Sequence, residues 1–189
     1  MMQILGLVFS GLFLSNVLIM NLVGLPIMEE KQVSLKPALK IGLLTTVLAV
    51  VSTAIVYPIN NFLLVDAEMT YLLPILAILV IALVSMLINF ISKKLNIDLK
   101  ANKIFLPMIS FNVVVFFIAL QGVGYGKIVQ SLVYALGAGL GYTLLLLMMT
   151  AIHPRLNQIG VPKAFKGLPL TLITLGLIAL TFMGLAGLL

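Results

Sequence analysis

Apolar residues run along this chain in long blocks, with polar and charged residues gathered into the short stretches between them. Six blocks can be marked, at about residues 4–27, 38–57, 70–91, 104–121, 127–152 and 167–189. A helix needs about 20 mostly apolar residues to cross the hydrocarbon core of a bilayer. A block that is apolar on every side has no water-facing stripe to present. Each block therefore predicts a transmembrane helix. None holds an Asp, Glu or Arg in its middle, and Lys40 and Lys127 stand near block ends, where their stems reach the headgroups. The first block lacks a basic leader and a small-residue cleavage site, so it reads as a span and not as a removable signal peptide.

Composition sharpens this picture. Of 189 residues, 62% are apolar and 8% charged, against about 45–50% and about 25% in soluble domains. That excludes a soluble enzyme, a nucleic-acid binder and a disordered tail. The net charge of +6 does not point to nucleic acid, because the basic residues flank the apolar blocks. The connection after block one holds Lys31, Lys36 and Lys40. Lys93, Lys94, Lys100 and Lys103 follow block three, and Arg155, Lys163 and Lys166 follow block five. The opposite side receives only Lys127, with Asp66 and Glu68 in its other loop. Basic connections stay in the cytoplasm, so this asymmetry predicts both termini outside.

An offset of 97 positions aligns residues 38–60 with residues 135–157 without a gap. Identities fall at Ala38/Ala135, Leu39/Leu136, Gly42/Gly139, Leu43/Leu140, Thr46/Thr143 and Leu48/Leu145. They continue at Thr53/Thr150, Ala54/Ala151, Ile55/Ile152 and Asn60/Asn157. In so apolar a chain the Gly, Thr and Asn pairs carry most of the weight. Leu73-Pro74 and Leu168-Pro169 add a weaker echo. The expected fold is all-α: a polytopic membrane protein of six transmembrane helices. Its two three-helix halves, 1–95 and 96–189, form one membrane domain, and because three is odd the second half is inverted.

Inverted repeats place their sites near the midplane, where helices are often broken. The expected breaks are Gly24-Leu25-Pro26 in span one and Pro107 with Asn112 in span four, since proline removes a donor and disfavours helix just upstream. Asn16, Asn21 and Asn112 lie in or near these segments. Their amides suit either a ligand or the backbone of neighbouring helices.

At these segments the chain resembles the Rnf/Nqr membrane-subunit family. The branch in question holds the A subunit of the Rnf electron-transport complex and the E subunit of the sodium-translocating NADH:quinone reductase. The stretches that carry the resemblance are Phe105-Leu106-Pro107-Met108-Ile109-Ser110-Phe111-Asn112 and Val161-Pro162-Lys163-Ala164-Phe165-Lys166-Gly167. Pro58-Ile59-Asn60-Asn61 and the tail from Leu172 to Leu188 also fit. The resemblance implies a protein of the bacterial or archaeal cell membrane, crossing it several times. It also implies a pseudo-symmetric pair with a homologous membrane subunit, formed as a homodimer or heterodimer, whose four cysteines hold an iron–sulfur centre. Here Pro26 and Val113 occupy the family's cysteine positions, and the chain has no cysteine at all. The implied fold carries over; the implied cofactor does not, and no cofactor is expected on this chain.

The remaining signals are weaker. Gly122-Val123-Gly124-Tyr125-Gly126 contains the string of a potassium-channel filter, but it joins two full spans and Lys127 follows at once, so it reads as a turn. Gly137 and Gly141 in span five make a small-residue helix-packing pair, read first as a contact within the chain, with a contact between subunits as the alternative. His153, the single histidine, sits at a span end and reads as a cap or interface residue. The methionines read as apolar packing, and Asp66 and Glu68 as solvated loop charge. No catalytic or nucleotide-binding motif appears, so the chain is at most a non-catalytic subunit of a redox-driven ion translocase. Two functions stay open. One is a membrane subunit of an Rnf- or Nqr-like complex whose redox centres sit on flavin- or iron–sulfur-bearing partners. The other is a redox-inactive inverted-repeat transporter or scaffold for a small solute or ion.

Overall fold

A computed structural model describes residues 2–14, 16–21, 34–94, 113–158, 160, 162 and 165–184. Among the described residues every regular element is helical, with no strand. Helix α1 (Met2–Phe9) runs into a π-helical turn, Ser10–Leu14, and is followed by the short α2 (Val17–Asn21). Helix α3 (Leu35–Ile59) ends in a second π turn, Asn60–Leu64. Helix α4 is Leu73–Lys94, α5 is Val113–Val123, α6 is Ile128–Gln158 and α7 is Leu168–Met183.

Among the described residues, three stretches are long and apolar enough to cross a membrane: Leu35–Leu64, Thr70–Ile88 and Ile128–Arg155. They fall on the second, third and fifth expected spans. The apolar helices Val113–Val123 and Leu168–Met183 are shorter. Span one differs from its expected form. Its continuous helix stops at the π turn and is broken again before α2, upstream of Gly24–Pro26, which lies outside the described residues with Pro107 and Asn112.

Local chemistry explains these boundaries. Pro58 has no amide hydrogen to donate, and the ladder after it shifts to the wider π register at Asn60. Gly167, at φ +82°, turns the chain into α7, whose first turn accepts Pro169. Gly126, at φ +70°, does the same between α5 and α6.

Helices α3 and α6 form the central pair. They run antiparallel, because Gly42 meets Thr143 while Gly139 meets Thr46. Helix α1 lies parallel to α6, with Val8 opposite Gly137 and Leu12 opposite Gly141. Helix α5 packs on α3 where Gly122 meets Thr53. Phe13 and Phe182 meet edge to face at 5.1 Å and join the first helix to α7. The buried core follows this arrangement, with Val56, Ile118, Tyr134, Tyr142, Leu145 and Leu146 fully buried.

Candidate functional site

Where α3 and α6 cross, two glycines and two threonines interlock. A Cβ on Gly42 would stand 2.5 Å from the Thr143 methyl group, and a Cβ on Gly139 would stand 2.7 Å from the Thr46 methyl group. Each threonine thus fills the space left by the other helix's glycine. The two hydroxyls lie 3.3 Å apart, at a separation of 97 residues. Each hydroxyl also donates within its own helix, Thr46 to the Gly42 carbonyl and Thr143 to the Gly139 carbonyl, both at 2.9 Å. Two turns further on, Thr53 donates to Ala49 at 2.8 Å and Thr150 to Leu146 at 2.7 Å. A buried hydroxyl is costly unless bonded, and back-bonding to the carbonyl four residues earlier satisfies each of these locally. The Gly42/Gly139 and Thr46/Thr143 pairs of the sequence repeat therefore form the contact between the two helices that carry it.

The first helix is set against α6 just as closely. A Cβ on Gly11 would stand 2.8 Å from the Ala138 nitrogen, one on Gly137 2.8 Å from the Val8 carbonyl oxygen, and one on Gly141 2.5 Å from the Leu12 carbonyl oxygen. These are approaches to backbone that only glycine permits. Gly137 and Gly141 thus meet the chain's own first helix.

Asn16 is fully buried beside Gly141, and its Nδ2 donates to the Leu12 carbonyl at 3.0 Å. The Asn21 side-chain nitrogen is buried and has no hydrogen-bond partner among the described residues. After Asn16 the chain changes direction. Leu12 lies level with Gly141, yet Met20 shares a cavity with Tyr134, two turns nearer the head of α6, and with Gln121, Gly124 and Tyr125. The segment from Asn16 to Asn21 therefore returns toward the α5–α6 turn. Asn16, at the bottom of this reversal, caps the first helix within the bundle.

Val113 opens α5 and is half exposed. Counting 1.5 Å per residue from the α5–α6 turn places it about 15 Å down, level with residues 139–142 of α6. Asn16 lies at that same level. Gly24, Pro26, Pro107 and Asn112 lie outside the described residues. His153 stands twelve residues beyond Gly141, about 18 Å further along α6. No three His, Cys, Asp or Glu side chains cluster among the described residues. Iron–sulfur centres are held by thiolates, with histidine a partial substitute. A chain with no cysteine and a single, distant histidine does not offer that donor set.

Sequence pattern alone does not single out the cavity residues. The Tyr134 hydroxyl donates to the Gln121 Oε1, and the rings of Tyr125 and Tyr134 lie 4.7 Å apart. Pairing across a turn between a short helix and a long one leaves no periodic mark.

A family model described as "Rnf-Nqr subunit, membrane protein" matches residues 4–189. The A subunits of ion-translocating oxidoreductase complexes from several bacteria align over the whole chain. That of Azoarcus sp. (strain BH72) is 35% identical over 191 residues, covering 100% of this chain and 98% of its own. That of Glaesserella parasuis serovar 5 (strain SH0165) is 34% identical with the same coverage. That of Syntrophotalea carbinolica is 34% identical over 190 residues, again 100% and 98%.

Proposed function

Because the chain belongs to the Rnf-Nqr family of membrane subunits, we propose that it is an integral membrane component of an electron-transport complex coupled to ion translocation. Its relatives are named for such a complex, an ion-translocating oxidoreductase. In this reading the chain supplies membrane scaffold and ion path, holds no iron–sulfur cluster of its own, and leaves redox chemistry to partner subunits.

The architecture proposed with it is six spans in two inverted halves, 1–95 and 96–189, with both termini outside. The observation that carries this is the reciprocal fit of Gly42 to Thr143 and Gly139 to Thr46 at the repeat offset. Two copies of one motif related by a local twofold axis make equivalent contacts, whereas an accidental helix pair has no reason to exchange them. In this architecture the midplane region between the halves is framed by Asn16, Asn21, Gly24, Pro26, Pro107, Asn112 and Val113. The reversal after Asn16 supports a broken helix in span one, since irregular backbone is tolerated at membrane depth only inside protein or beside a cavity.

A homologous membrane subunit is the proposed pseudo-symmetric partner. The second reading, a redox-inactive transporter or scaffold, is favoured by one observation: Pro26 and Val113 stand where the family resemblance implies cysteines. Purification of the tagged chain from membranes of its source organism separates the two. The complex reading expects stoichiometric recovery of a homologous subunit together with flavin- or iron–sulfur-bearing subunits. Recovery of the chain alone, or only with copies of itself, would favour the transporter.

A further inference from the structure

We propose that the cavity beside the α5–α6 turn seats the headgroup of an anionic phospholipid, held through its phosphate. The cavity is open to the surface, measures about 370 Å³ and is lined by Met20, Gln121, Gly124, Tyr125 and Tyr134, within the size range of ligand sites. Among its described lining, the groups left to donate are the Gln121 amide N–H pair and the Tyr125 hydroxyl. Tyr134, fully buried at the back, donates its hydroxyl to the Gln121 Oε1. That bond occupies the acceptor end of the amide and leaves the two N–H groups of Gln121 without a partner among the described residues. Tyr125 is half-buried over the Tyr134 ring, and burial pushes its phenol above the ordinary value, so it stays protonated and able to donate.

Charge selects the ligand. No acidic residue occurs anywhere in residues 2–21 or 113–158, the segments that frame the cavity. Lys127, exposed and two residues beyond Tyr125, is the single basic residue that the charge pattern assigns to this side of the membrane. Donors with a nearby cation suit a phosphodiester, whose bonds to amide, phenol and ammonium are charge-assisted. The two carboxylates on this side, Asp66 and Glu68, sit in the separate α3–α4 connection and are not among the described residues that line the cavity.

A lipid fits better than a free phosphate. The rim carries an exposed apolar side chain, Met20, 68% exposed, against which an acyl chain can lie. Tyrosines at the end of a span are also placed as expected for the headgroup level of a bilayer.

Native mass spectrometry of the full chain, titrated in detergent with phosphatidylglycerol and separately with phosphatidylcholine, tests this. Phosphatidylglycerol should bind saturably, about tenfold more tightly than phosphatidylcholine. Lys127→Gln should erase that preference. Tyr125→Phe and Gln121→Leu should each weaken phosphatidylglycerol by about tenfold, while Lys166→Gln, away from the cavity in sequence, should change nothing. Lys127→Gln keeps the test decisive if Gln121→Leu disturbs folding, because Lys127 is exposed and outside the core. Glycerol 3-phosphate in excess should fail to displace the lipid. Equal binding of both lipids, or indifference of the lipid series to Lys127→Gln and Tyr125→Phe, would overturn the proposal. Displacement by glycerol 3-phosphate would overturn it in favour of a water-soluble phosphate ligand.

Discussion

Gly141→Ala should deprive the chain of its folded state in detergent, although the substitution adds only one methyl group. The new Cβ would stand 2.5 Å from the Leu12 carbonyl oxygen, 2.7 Å from the Asn16 Nδ2 and 2.9 Å from the Leu12 Cα. Two of these atoms are backbone, so no rotamer change relieves them, and the first helix must lift off α6. Overpacking a tight site costs about 1–3 kcal/mol and at times more. Within a bilayer the loss is concentrated, because helices there associate through close packing with little hydrophobic drive between them. Lifting the helix would also take Asn16 from its buried place beside Gly141. Fluorescence-detected size-exclusion chromatography after a temperature series reads the effect. The expected result is a large fall in the monodisperse fraction for Gly141→Ala and a similar one for Gly137→Ala. Gly6→Ala and Gly176→Ala serve as controls, since a Cβ at either meets nothing within 4 Å. They should be neutral or stabilising by up to about 1 kcal/mol through reduced chain entropy. Gly42→Ala should fall between the two groups, because its obstacle is the Thr143 side chain. Combining Gly42→Ala with Thr143→Gly should recover part of the loss, a non-additive pair. Equal behaviour of Gly141→Ala and Gly6→Ala would contradict the packing described here.

The isolated chain should also carry no iron, where a cysteine-bearing member of the same family is expected to share a cluster. Thiolates are the usual ligands of such clusters and histidine the partial replacement. This chain has no cysteine, and its one histidine lies about 18 Å along α6 from the level of Val113. Proline and valine offer no donor to zinc or copper either. Elemental analysis should find iron well below one equivalent, and the visible spectrum should lack cluster absorption. Stoichiometric iron surviving chelation, in a preparation free of partner subunits, would show that another ligand set holds it. The converse experiment replaces Pro26→Cys and Val113→Cys together and supplies a cysteine-bearing partner. If those positions face one another across the midplane, a cluster should be reconstituted. The same two cysteines placed at Gly6 and Gly176 should yield none.

Much of this structure is legible in the sequence because the membrane imposes a simple grammar. Block length and the absence of central charge mark the second, third and fifth spans, and their helices run through the expected stretches. The offset of 97 marks Gly42, Thr46, Gly139 and Thr143, and the contact among them appears at that separation. What is not legible is where backbone departs from the α register. The π turn at Ser10–Leu14 follows no proline and lies where Gly11 packs on the α6 backbone, and a mean hydropathy cannot register that. Leu12 and Asn16 beside Gly141 and the reversal after Asn16 arise from contacts between remote parts of the chain. The cavity is hidden for the same reason, since Gln121 and Tyr134 look like ordinary span-end residues until the turn brings them together.

Ion uptake into inside-out membrane vesicles tests the central claim most directly. Vesicles from the source organism, given NADH or reduced ferredoxin as electron donor, should accumulate the coupling ion. Vesicles from cells lacking this chain should lose that uptake, and the wild-type chain, or its Gly6→Ala variant, should restore it. Donor-driven uptake undiminished in the absence of the chain would contradict its assignment to the ion-translocating complex.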